Sequence, residues 1–313
     1  MTFLSLKPPV LFGLGGIGTI LIIASAILFI LKRSRPERSY DELSQRITSW
    51  WIMVGIFSAA ILLSRTASII FFAFVSFLAL KEYLSLIPTR RADRRVLFWA
   101  YAAIPVQYYW VHAEWYGMFI IFIPVYLFLF LPMRMVTIGE TKDFLRAAGT
   151  LHWGLMTMVF SLSHAAFFLV LPEEKNPIAG GAGLVLYLIF LTQFNDVAQY
   201  VWGKLTGRHK IIPKVSPNKT WEGFLGGLAT TSTLAVVLSP YLTPLGFAES
   251  LCAGMLLSCG GFIGDVTISA LKRDIGVKDS GSLLPGHGGI LDRIDSLTYT
   301  APLLFHFTYY LHY

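Results

Sequence analysis

The chain has 313 residues, of which 55% are hydrophobic and 14% charged, with a formal net charge of +7. Apolar stretches of bilayer-crossing length recur along it and the Lys and Arg sit in short blocks between them, so the positive excess reads as a topology signal and not as a nucleic-acid surface. Two cysteines, Cys252 and Cys259, lie seven apart inside one apolar stretch, which reads as packing on one side of a helix and not as a disulfide, and implies no redox chemistry.

Ten membrane spans are expected: 9–31, 49–64, 67–80, 97–112, 115–132, 151–171, 180–202, 223–245, 250–271 and 296–312. The fold class is all-α, a polytopic helical bundle. The first span is read as uncleaved, because its apolar run is long and ends in LKRSR with no small-residue cleavage site. Alternating the connections places 22 of the 25 Lys and Arg on one side, leaving only Lys7, Arg65 and Lys175 on the other. By the positive-inside rule the basic side is cytoplasmic, including loops 203–222 and 272–295. Residues 1–150 are expected to be scaffold spans and 151–313 the catalytic region, the two forming one unit, since no connection is long enough for a separate domain.

Within the first part, Trp50, Trp51, Trp110 and Trp115 fall near span ends, as aromatic belts do. Glu82, beside Lys81 at the end of the third span, reads as a local ion pair or an interfacial side chain. His112 and Glu114 are expected in a solvated turn, and His152 and His164 as hydrogen-bonded histidines between helices.

Polar chemistry gathers from residue 190 onward. The seventh span ends QFNDVAQYVWGK. A carboxylate such as Asp196 inside the bilayer costs roughly 2.5–3.5 kcal/mol, so it should face a cation or metal. Asp196, Gln199 and Tyr200 have the three- and four-residue spacing of one helix face, expected to point inward. The next loop contains SPNKTWEG. Ser216, Asn218 and Thr220 offer neutral donors, Lys219 a cation, and the start of the eighth span exposes N–H groups that favour anions. The same residues also suit a plain turn with Thr220 capping a helix and Glu222 in its first turn.

The ninth span carries Asp265, Ser269 and Lys272 on one face, with Arg273 beside Lys272. At 1.5 Å per residue Asp265 should lie about 10 Å below Lys272. Beyond it come Lys278 and then LPGHGGILDRID, where His287 stands among glycines and Asp292 and Asp295 share the start of the last helix. Three carboxylates, Asp265, Asp292 and Asp295, form an oxygen donor set that suits Mg²⁺ better than Zn²⁺.

The run S-x-x-K-R-x-x-x-x-K-D-S-G-x-x-x-P-G-H-G-G-x-x-D-R-x-D, from Ser269 to Asp295, resembles the signature of the phosphatidate cytidylyltransferases, also called CDP-diacylglycerol synthases. The resemblance extends through SPNKTWEG and covers residues 180–300. It implies Mg²⁺-dependent condensation of CTP with phosphatidic acid to CDP-diacylglycerol and pyrophosphate. In that setting Asp265, Asp292 and Asp295 are the expected ligands of Mg²⁺, as one ion or as two with a second cation. Lys219, Lys272, Arg273 and Arg293 are the phosphate-neutralising cations, with Lys219, Lys272, Arg273 and Asp292 carrying the catalysis. Ser216, Asn218, Lys278, His287 and Asp196 line the substrates. The chain departs from the family pattern at Ile268, where an acidic residue is common, and at Asn195–Tyr200. The partners implied are CTP, phosphatidic acid and the lipid bilayer of a bacterial cytoplasmic (inner) membrane, with a homodimer as a candidate assembly and no nucleic acid.

Three alternatives stand beside this reading. A divergent member could act on another lipid phosphate. A transporter is disfavoured because the polar residues concentrate in the last four spans, with no matching set in the first half. A CDP-alcohol phosphotransferase is disfavoured because its D-G-x-x-A-R pattern is absent.

Overall fold

A computed structural model describes residues 7–35, 37–90, 93–281 and 288–313. Among them ten helices occupy the ten expected spans: α1 (Pro8–Ser34), α2 (Asp41–Leu63), α3 (Arg65–Leu86), α4 (Arg94–His112), α5 (Tyr116–Val136), α6 (Phe144–Val170), α7 (Gly180–Thr206), α8 (Trp221–Leu242), α9 (Phe247–Asp274) and α10 (Leu297–His312). The described residues form no strand; Lys210 and Thr220 make an isolated bridge. Among the described residues eight helices are long and apolar enough to cross a membrane. The two others are α10, which has 16 residues, and α4, which carries Gln107 and a run of aromatic residues.

Local chemistry sets several boundaries. Pro8 opens α1, where its missing N–H costs nothing. Ser64 caps α3 by accepting from the Ala67 N–H at 3.1 Å. Six-residue π turns interrupt α5 at Phe122–Leu127, which contains Pro124, and α6 at Met156–Ser161. The Lys7 ammonium donates to the Pro177 carbonyl at 2.7 Å, and Arg65 pairs with Glu114. His112 and Glu114 are exposed at a turn, as expected, and Glu114 adds this pairing.

Burial separates the helices by role. Only 11% and 17% of the apolar windows of α1 and α2 are buried, against 78% for α6. The first two helices thus present most of their surface to lipid, and α6 threads the core. There Phe119, Phe167 and Phe305 pack together, and Tyr116 stacks on Tyr309 with ring centres 4.4 Å apart. His164 is buried in this cluster. Its Nδ1 meets the carbonyl of Phe160 in its own helix at 2.8 Å, so the expected bridge between helices is not made.

Close approach of α7, α8 and α9 builds the polar half. Small residues at their crossings let the backbones meet, as is common in lipid, where association relies on packing and interhelical hydrogen bonds. A Cβ at Gly223 would stand 2.7 Å from the Gln199 carbonyl, and one at Gly264 would stand 2.4 Å from the Asp295 carbonyl. Asn195 ties the three helices: its Oδ1 accepts from the hydroxyls of Ser258 at 2.7 Å and Thr231 at 3.2 Å. Ile268, at the position where the family favours an acid, is 1% exposed and packs in the apolar core.

Candidate active site

The polar residues converge at the end of the bundle where α7 finishes, α8 begins and α9 finishes. The loop between α7 and α8 is folded by its own sequence. Thr220 caps α8 by accepting from the Gly223 N–H at 3.1 Å. The Glu222 carboxylate in the first turn accepts from the N–H groups of Arg208 and His209 and meets the His209 imidazole at 2.6 Å. The plain-turn reading of this stretch is therefore correct as far as it goes. Capping also delivers Lys219, the residue just before Thr220, to the bundle interior.

Lys219 is the hinge of the site. Its ammonium lies 2.6 Å from Asp265 Oδ2 on α9, donates to Gln199 Oε1 on α7 at 3.1 Å and sits 5.6 Å from the centre of the Phe262 ring. Burial alone would lower the Lys219 ammonium's pKa, but the Asp265 and Asp196 carboxylates outweigh it and hold the group above its ordinary value. Ser269, one turn beyond Asp265, donates to Asp265 Oδ1 at 3.3 Å, as the shared helix face required.

Asp196 and Asp295 complete this cluster. The Ser296 hydroxyl faces both Asp196 oxygens, at 3.1 and 3.0 Å, and the Gly261 carbonyl at 3.1 Å. The Ser296 N–H donates to Asp295 Oδ1 at 2.7 Å. Burial, with the like charges of Asp265 and Asp196, pushes the Asp295 carboxyl well above the usual carboxylate range. Tyr200 does not join them. It is 64% exposed with the Lys204 ammonium over its ring, contrary to the inward face expected from spacing.

A second ion pair stands on the other loop. Lys272 Nζ lies 2.6 Å from Asp292 Oδ1, while Asp292 Oδ2 accepts from the Ser280 N–H at 3.0 Å and the Gly289 N–H at 3.1 Å. Burial would raise the Asp292 carboxyl, but Lys272 and these N–H groups hold it below its ordinary value. Arg273 donates to the Val215 carbonyl at 3.3 Å, joining the two loops. Ser216 lies in the turn of the first loop, where its carbonyl accepts from the Lys219 N–H at 3.3 Å. Asn218 and Lys278 are exposed beside the site. The His287 assignment lies outside the described residues.

Among the buried donors without a partner in the described residues, two stand at this end of the bundle: Gln199 Nε2 and Arg293 Nε. Both adjoin the cluster, since Gln199 also meets Lys219 and the Arg293 charge acts on Asp196 and Asp295. Buried unpaired donors are costly, and an anion's oxygens would satisfy them. Glu82 was not legible as part of this region. Its carboxylate accepts from the N–H groups of Ile290 at 2.9 Å and Leu291 at 3.1 Å and stands 2.5 Å from the Ser280 hydroxyl. The local ion pair or interfacial role expected from Lys81 is thus replaced by contacts about two hundred residues away in sequence.

The donor set can be tested for Mg²⁺. Among the described residues no group of three or more Asp, Glu, His or Cys closes on one point. Mg²⁺ characteristically takes only one or two carboxylates and completes its shell with substrate phosphate and water. Asp265 and Asp295, oxygen donors within each other's electrostatic reach, meet that requirement. Asp292 and Asp265 each have both oxygens engaged, Asp292 by Lys272 and the Ser280 N–H and Asp265 by Ser269 and Lys219, so a metal ion at either carboxylate would replace one of these contacts.

Comparison with known proteins follows this geometry. The cytidylyltransferase family model matches residues 44–311. The chain is 47% identical over 291 residues to the uncharacterized protein YnbB of Escherichia coli (strain K12), covering 93% of this chain and 95% of that one. It is 43% identical over 125 residues to a phosphatidate cytidylyltransferase of Staphylococcus haemolyticus, covering 40% of this chain and 48% of the relative. For the enzyme of the same name from Staphylococcus saprophyticus the identity is 38% over 157 residues, with coverage of 49% and 59%. The chain therefore spans about half the length of these two relatives. Matched across most of its own length, from the second helix to the last, the chain belongs to the cytidylyltransferase family.

Proposed function

We propose that this protein transfers the cytidylyl group of CTP to phosphatidic acid, giving CDP-diacylglycerol and pyrophosphate. The observation that carries the reading is the meeting of the Lys219–Asp265 and Lys272–Asp292 pairs, from two loops, with the unpartnered donors of Gln199 and Arg293 beside them. Such an arrangement offers cations and N–H groups to a polyanion.

In the transfer, an oxygen of the lipid phosphate forms a bond to the α-phosphorus of CTP. The bond from that phosphorus to the bridging oxygen breaks, and the electron pair leaves with pyrophosphate. The attacking phosphate is already ionised at neutral pH, so no general base is needed. The barrier comes from bringing two anions together, and positioning plus charge neutralisation lower it. Lys219, Lys272, Arg273 and Arg293 neutralise phosphate oxygens, Gln199 Nε2 donates to one of them, and Ser216, Asn218 and Lys278 border the nucleotide. Asp292 keeps Lys272 oriented. Mg²⁺ held by Asp265 and Asp295 would neutralise the triphosphate and make pyrophosphate a better leaving group. Asp196 lies beside them at the depth of the lipid head group.

The test is purified protein in detergent or nanodiscs with CTP, Mg²⁺ and a lipid phosphate. Pyrophosphate release that requires phosphatidic acid supports the reading. Release only with another lipid phosphate assigns the divergent acceptor instead, and none with any lipid phosphate contradicts cytidylyl transfer. Near full-length identity to a relative that carries no enzyme name makes the acceptor arm a necessary part of that experiment.

A further inference from the structure

Glu82 stands on α3, in the part of the chain that the sequence assigned to scaffold. Its carboxylate receives the N–H groups of Ile290 and Leu291 at 2.9 and 3.1 Å. Those N–H groups open the helical turn Leu291–Ile294 that carries Asp292 and Arg293. No side chain of the turn's own sequence caps it. Glu82 therefore supplies from another helix the acceptor that a local Ser, Thr or Asp would normally provide.

The same carboxylate reaches the far side of the loop. The Ser280 hydroxyl lies 2.5 Å from Glu82 Oε1 and 2.9 Å from Asp292 Oδ2, and its single hydrogen can be donated to only one of them. Since the Ser280 N–H already donates to Asp292, the shorter contact takes the hydroxyl hydrogen. A connected path results: Glu82, Ser280, Asp292 and then Lys272.

The glycines of the signature fit around this carboxylate. A Cβ at Gly289 would stand 2.0 Å from Glu82 Oε1, and one at Gly281 would stand 3.0 Å from Glu82 Oε2. Gly281 and Gly289 thus leave room for a side chain that comes from α3. Their spacing in the sequence gives no hint of that neighbour.

We propose that Glu82 is the positioning residue of the site: it ties Ser280 to Ile290 and Leu291 and so fixes Asp292, Lys272 and Arg293 for the transfer. This rests on the cytidylyl-transfer reading for its effect on rate, but the clamp itself can be measured without any substrate.

The experiment uses the full chain in nanodiscs, with Glu82→Gln, Glu82→Ala and Glu82→Asp. Gln keeps the size but turns one acceptor oxygen into a donor that faces N–H groups. Hydrogen–deuterium exchange at the amides of Ile290 and Leu291 should rise in the Gln and Ala variants. Their kcat should fall by on the order of 10–100-fold, as for other residues that orient a catalytic group, with a smaller change in KM for CTP and an unchanged melting temperature. Asp, which keeps the carboxylate, should regain part of kcat. Gly281→Ala should lower kcat in the native background and have no further effect in the Glu82→Ala background, because the clash is with Glu82.

Unchanged exchange at Ile290 and Leu291 in Glu82→Gln overturns the proposal. So does a kcat within about twofold of the native value in both Gln and Ala variants, given that orienting residues cost at least tenfold. Loss of activity with a matching fall in melting temperature, and no rescue by Asp, also overturns it in favour of a purely structural residue. If the native protein shows no lipid-dependent pyrophosphate release, the functional reading fails, and the exchange result alone decides whether Glu82 holds the loop.

Discussion

Lys219 and Asp265 meet at 2.6 Å although one lies at the start of α8 and the other deep on α9, and both side chains are less than a quarter exposed. The pair joins the two sequence motifs into one site. Breaking such a buried pair from one side leaves an uncompensated charge, at a cost of about 3–5 kcal/mol. Lys219→Met and Asp265→Asn should each lower the melting temperature and abolish cytidylyl transfer. The double variant should recover much of the stability and none of the activity. Thermal melts in detergent check this, and additive losses in the double variant would contradict a direct pair.

The two ion pairs also fix a pH window. The folded pKa of Asp292 is lowered, so its contribution to stability is present above the ordinary carboxylate range and is lost as pH falls through the folded value. The folded pKa of Lys219 is raised, so its contribution is present below the ordinary lysine range and is lost only as pH rises through the folded value. Stability should therefore be flat from about pH 6 to pH 9 as far as these pairs are concerned, and decline outside it. In Asp292→Asn the acid-side decline should become shallower. Melting temperatures across pH in both proteins measure it.

Metal dependence should itself depend on pH. Asp295 holds its proton well above the usual carboxylate range, and a carboxyl must lose its proton to bind Mg²⁺. The Mg²⁺ concentration for half-maximal activity should fall as pH rises, and chelation should abolish activity reversibly. A requirement independent of pH would remove Asp295 from the ligand set.

Asn195 offers a test of the packing that places the carboxylates. Replacing it with Ala leaves the Ser258 and Thr231 hydroxyls without their shared acceptor. Interhelical hydrogen bonds of this kind are worth about 0.5–2 kcal/mol in membrane proteins. The melting temperature should drop modestly, and the folded fraction should keep most of its activity. Complete inactivation at unchanged stability would mean that Asn195 touches substrate.

The helices were legible because lipid demands long apolar runs, and even the short α3 span appears where the runs placed it. Half of the site was legible for a related reason: Asp196, Lys219, Asp265 and Lys272 are charges beside or within such runs, and only function or pairing keeps them there. Tyr200 misled because four-residue spacing specifies a shared face and not what that face meets. Near the end of α7, Gln199 turns into the bundle while Tyr200 turns out. Glu82 was hidden because its partners are backbone N–H groups, which leave no trace in side-chain pattern. The glycines at 281 and 289 were visible, but the carboxylate they accommodate was not.

The most direct measurement follows the label of CTP carrying ³²P at the α-phosphate, given to the purified protein with Mg²⁺ and phosphatidic acid. Cytidylyl transfer predicts that the label enters the organic-solvent-soluble lipid fraction as CDP-diacylglycerol, that unlabelled pyrophosphate appears in equal amount, and that Asp265→Asn does neither. Label that stays in the aqueous phase with every lipid phosphate offered, under conditions where the protein is folded, would contradict it.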